Sequence, residues 1–131
     1  MNTDRLETLA NRLIKVAGEL DRGRIKGRKF SLNYWYKTQD CGAVCCAIGE
    51  AAAIKSFRDE GFHLAGDPIG IGMFPAYQTE TGWPAVLRFF DIDAKDARYL
   101  FDVSGYAWQA SPRDVAQRIR LYVKERESCA A

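Results

Sequence analysis

Only one histidine, His63, occurs in the 131 residues, so any nucleophilic mechanism that needs an imidazole base has a single candidate. Charge of one sign is also lacking. Nineteen Lys and Arg stand against 17 Asp and Glu, and a formal net charge of +2 supplies no global field to draw nucleic acid or an anionic membrane. No apolar run approaches the roughly 18 to 20 residues of a membrane-spanning helix. Internal repeats and low-complexity tracts are absent. The glycine-rich segment 66–72 lacks the Lys-Ser/Thr of a phosphate loop. Asp91, Asp93 and Asp96 lack the ligand ladder of a calcium loop and read as helix caps. The first residues, Met1 to Glu7, are charged where a signal peptide needs an apolar stretch, which predicts a cytoplasmic protein with its four cysteines as thiols.

What is present suits one packed domain. Hydrophobic residues make up 47%, with seven Phe, six Tyr and three Trp, too many for a disordered chain. The patterning predicts a mainly α, single domain over residues 1–131, built from about five helices. Leu6, Leu9, Leu13, Val16 and Leu20 recur at spacings of three and four, one apolar stripe of a first helix with Asp4 and Glu7 as a capping box. Gly23 ends that helix. An aromatic segment, Phe30 to Tyr36, then pins the chain to the core. Asp40 is placed to cap a central helix over about 41–57, apolar nearly all round and rich in small residues. Residues 58–81 read as a long irregular loop with at most a short strand at 69–73. Pro84 opens a third helix through Phe90, Asp93 caps a fourth over about 94–102, and Ser111-Pro112 with Asp114 opens the last.

The run Asp40-Cys41-Gly42-Ala43-Val44-Cys45-Cys46-Ala47-Ile48-Gly49 holds three of the four cysteines. Cys41 at a helix N-terminus would gain thiolate character from the dipole, and His63 is its only available base, so these two are the catalytic candidates. A metal site is short of ligands, since structural zinc wants four. Cys45 and Cys46 read as small core residues. A second candidate surface is the basic segment Arg22, Arg24, Lys26, Arg28 and Lys29, which with Tyr34, Trp35 and Tyr36 offers phosphate contacts and stacking for nucleic acid.

The stretch Trp35 to Ala53, with Cys41-Gly42, Cys45 and Gly49, resembles a group of uncharacterised small bacterial and phage proteins that carry a Cys-Gly-x-x-Cys-x-x-Gly-x-Ala helix. Leu100-Phe101 and Ser111-Pro112 fit the later part of the same pattern. Ala43 and Glu50 depart from it, where Thr and Trp are frequent. The resemblance implies a helical domain of prokaryotic or phage origin and brings no activity, cofactor or site residue with it.

Three function classes follow. The leading one is a non-enzymatic protein-interaction or regulatory module with a protein partner. The alternatives are a nucleic-acid-binding protein using segment 22–29, and a cysteine-dependent hydrolase or transferase using Cys41 and His63. No cofactor, metal or membrane partner is implied.

Overall fold

The computed structural model describes residues 1–23, 28–39, 42–67 and 72–130. Helix α1, Thr3–Asp21, buries Leu6, Leu9, Leu13 and Val16 together with Ala10 and Ala17, the stripe that its spacing predicts. Its cap is Asn2, which accepts from the Arg5 N–H at 3.1 Å, rather than Asp4, which lies in the first turn. The last helix, α6 (Pro112–Ala130), packs along α1 through Val115, Ala116, Ile119 and Val123. It opens on a reciprocal capping box: Ser111 Oγ accepts from the Asp114 N–H at 3.1 Å, and Asp114 accepts from the Ser111 N–H at 2.9 Å.

Helices α4 (Trp83–Phe90) and α5 (Ala94–Phe101) lie where the proline and aspartate signals place them. Asp91 between them is left-handed, with φ 53°, and Asp93 accepts from the Asp96 N–H at 2.8 Å. A single 3-10 turn, Val103–Gly105, follows α5. The core is strongly aromatic, with Phe62 stacked on Phe89 at 4.4 Å and Phe57 edge-on to Phe89 at 4.8 Å.

The continuous helix expected over 41–57 is not formed. Gly42–Cys45 is a strand, β3, and only Ala47–Ala52 (α2) and Lys55–Asp59 (α3) are helical. β3 lies between β1 (Arg28–Phe30, parallel) and β2 (Tyr36–Gln39, antiparallel), so both of its edges are hydrogen-bonded. An all-round apolar segment carries no period with which to tell a buried helix from a buried strand. β-branched Val44 favours the strand, and the alanines from 47 onward favour the helix. α2 is buried along its whole length, so the central position survives in a helix of six residues. The expected cap Asp40 and the candidate nucleophile Cys41 lie outside the described residues. Gly42–Cys45, expected as the first turn of that helix, is a strand.

The irregular loop expected over 58–81 is also corrected. It holds the end of α3 and three strands, β4 (His63–Gly66), β5 (Met73–Tyr77) and β6 (Glu80–Thr81). Residues 69–71 of the expected short strand are outside the described residues, while Met73 opens β5. The strands join one sheet of order β1-β3-β2-β5-β4, with β6 on β5. The protein is therefore mainly α, with six helices and a small mixed sheet among the described residues. One hydrophobic cluster takes residues from all six helices.

Gly49 is what lets α2 lie against the β1–β2 connection. A Cβ there would sit 2.1 Å from the Trp35 carbonyl oxygen and 2.8 Å from Cys45 Cβ, closer than any side chain tolerates.

Candidate functional site

His63 begins β4 and is exposed; its Nδ1 lies 3.0 Å from the Gly61 carbonyl, which only accepts, so Nδ1 carries a proton. It lines a cavity of about 540 Å³ between strands β2 and β3 and helices α2 and α3, together with Tyr36, Cys45, Gly49, Arg58 and Leu64. Among the described residues, the cysteine that shares this cavity with His63 is Cys45, which the sequence places in the core.

Cys45 is buried, and its Sγ donates to Glu50 Oε2 at 3.1 Å. Glu50, 2% exposed, is the buried charged residue among those described, and Arg12 donates to its Oε1 at 3.2 Å. The Arg12 Nε–H, itself buried, has no hydrogen-bond partner among the described residues. Cys46 packs in the core, where burial pushes its thiol up to about 11. Cys129 is exposed on α6. Among the described residues no three His, Cys, Asp or Glu side chains come together to hold a metal ion. No helix of the described chain is long and apolar enough to cross a membrane.

The basic segment is divided. Arg24 and Lys26 lie outside the described residues, Arg28 and Lys29 lend their backbone to β1, and Arg22 and Lys29 are exposed. Of the three aromatic residues read as stacking surfaces, Trp35 packs edge-on against Trp83 at 4.8 Å and Tyr36 lines the cavity. Tyr34 remains exposed, with Lys37 Nζ 5.6 Å from its ring centre.

A surface that the sequence reading missed lies on the opposite kind of scaffold, where α5, the 3-10 turn and α6 meet. Tyr99, Val103, Trp108 and Leu121 are all exposed there, Trp108 by 54% and Leu121 by 59%. Arg118 organises them. Its guanidinium lies 3.8 Å from the Tyr106 ring centre, 4.3 Å from that of Tyr99 and 6.0 Å from that of Trp108. Nη1 donates to the Tyr99 carbonyl at 2.9 Å and to the Gly105 carbonyl. Tyr106 is buried beneath and donates to the Leu100 carbonyl at 2.8 Å, and burial raises its hydroxyl above the usual phenol range. The Trp108 indole donates to Asp114 at 3.1 Å, with its ring edge-on to Tyr106 at 5.9 Å. Trp108, Leu121, Gln117 and Arg118 surround a shallow depression of about 220 Å³. Its sequence signal was present: Leu121 lies off the apolar stripe of α6, and Trp108 falls between elements with no core position to fill.

Comparison with protein-family models, with curated proteins and with solved structures finds no match.

Proposed function

We propose that the protein is a non-enzymatic protein-interaction module whose partner docks on the face formed by Tyr99, Trp108, Arg118 and Leu121. One observation carries this reading: Trp108 is more than half exposed and yet held in place, by Asp114 on its indole N–H and by Tyr106 and Arg118 at its ring. Scattered exposed apolar side chains are ordinary, but a contiguous set built of Trp, Tyr, Arg and Leu has the composition of a binding hot spot. A side chain immobilised before binding loses little further entropy when a partner covers it. The depression between Trp108 and Leu121 takes one apolar side chain of the partner, and the exposed Gln117 amide beside it takes a polar group at the rim.

The test compares capture by two baits with the same fold. Wild-type protein and a Trp108→Ala/Leu121→Glu variant are immobilised, and proteins retained from lysate are identified by mass spectrometry. The reading requires a protein held by the wild type and lost from the variant, with the circular dichroism spectrum unchanged. Equal retention on both baits would remove this face as the docking surface.

A further inference from the structure

The cavity between the sheet and helices α2 and α3 has a different chemistry from the aromatic face. Its volume of about 540 Å³ lies within the range of small-molecule sites, roughly 300 to 1,000 Å³, and far exceeds what a bare inorganic ion would fill. Its walls are apolar where they are formed by Ala43, Gly49, Ala52 and Leu64. Three polar side chains, Tyr36, Arg58 and His63, also line it.

The charges on α3 are unevenly satisfied. Asp59 pairs with Lys55 at 2.9 Å, and Glu60, which follows α3, is paired with Arg5. Arg58, which precedes these two satisfied carboxylates, makes no side-chain hydrogen bond or ion pair among the described residues and lines the cavity. Glu50, behind Cys45, is already neutralised by Arg12 and does not answer Arg58. The bend at Ile54, with φ −74° and ψ 121°, separates α3 from α2. After it, Phe57 turns into the aromatic core while Arg58 lines the cavity.

We propose that this cavity binds a small carboxylate with a flat apolar body, the carboxylate paired with Arg58 and the body laid against Leu64 and the ring of His63. A planar guanidinium with its donors unspent matches a carboxylate in a two-point contact, and an apolar body uses the walls that an inorganic anion would leave unfilled. The site is independent of the aromatic face, which lies on α5 and α6.

The experiment is titration calorimetry on the full chain with benzoate, naphthalene-2-carboxylate and the uncharged naphthalene-2-carboxamide. The expected result is that naphthalene-2-carboxylate binds more tightly than benzoate and at least about tenfold more tightly than the carboxamide. Arg58→Gln should then lower its affinity by about tenfold or more, the scale for removing a charged hydrogen-bond partner. Ala53→Phe, placed at an exposed position of the cavity lining, should block both naphthalene compounds. Arg58 is exposed, so the variant's melting curve should overlay the wild type and a folding defect is separable. No heat from either carboxylate at millimolar concentration, or equal affinity in wild type and Arg58→Gln, would overturn the proposal. The Trp108→Ala/Leu121→Glu variant should bind the naphthalene carboxylate as the wild type does, which keeps failure of this site distinct from failure of the docking face.

Discussion

Two regions of the molecule handle close packing in opposite ways. Where α2 meets the sheet, side chains are kept small: Gly49 accommodates the Trp35 carbonyl, Cys45 and Cys46 fill narrow gaps, and a cavity remains beside them. Where α5 meets α6, side chains are large and one cation is threaded between rings, with Arg118 stacked on Tyr106 and Tyr99 and bonded to two carbonyls. The first arrangement holds a polar cluster in which Glu50 and Cys45 are buried and Arg12 is half-buried. The second displays rigid aromatic surface to solvent. Small residues make room, and large fixed ones make a surface.

The largest effect is expected at Gly49. Gly49→Ala places a Cβ against the Trp35 carbonyl and should cost about 3 kcal/mol of stability, lowering the melting temperature by roughly 10 °C in a calorimetric scan. An unchanged melting temperature would mean that α2 and the Trp35 segment separate freely. Arg118→Ala removes the stacking and both carbonyl bonds and should cost about 2 kcal/mol in denaturant unfolding, with Trp fluorescence altered as Trp108 loosens.

A smaller effect is expected at the cap that also holds Trp108. Asp114→Ala should cost about 1 kcal/mol at neutral pH. The Ser111 backbone N–H first, and then the Trp108 indole and Ser111 hydroxyl, hold the Asp114 carboxyl below its ordinary value of 3.8. Its folded value being the lower one, its stabilisation is complete above 3.8 and disappears as pH falls through that lower value. The stability gap between wild type and variant should therefore close in strong acid and stay constant from pH 5 to 8. Least of all, Leu121→Ser should change stability by no more than about 0.5 kcal/mol, because the side chain is exposed and lies outside the core cluster. A larger loss would show that Leu121 serves the fold rather than a partner.

Much of the helical part was legible in the sequence because its signals are local. The α1 stripe, Pro84 at the start of α4, the Asp93 cap and the Ser111–Asp114 box each lie within one or two helical turns of the structure that they specify. The sheet was not legible. β3 is a strand because β1 and β2 lie on either side of it, and nothing within Gly42-Ala43-Val44-Cys45 encodes those neighbours. The same non-local pairing puts His63 and Cys45 in the lining of one cavity, which sequence separation conceals. Gly49 was readable as a close-approach position, although its partner, the Trp35 carbonyl, was not. The aromatic face was missed because an inward stripe identifies a helix's core side and leaves its outward residues unranked, so Leu121 and Trp108 passed as ordinary surface.

Photocrosslinking in cells tests whether a protein partner docks on the α5–α6 face. A benzophenone amino acid replaces Leu121 in one version of the protein and Asp59, exposed on α3, in another. A discrete crosslinked protein partner is expected from position 121 and none from position 59. Crosslinks of equal yield and identity from both positions, or none from 121, would contradict it.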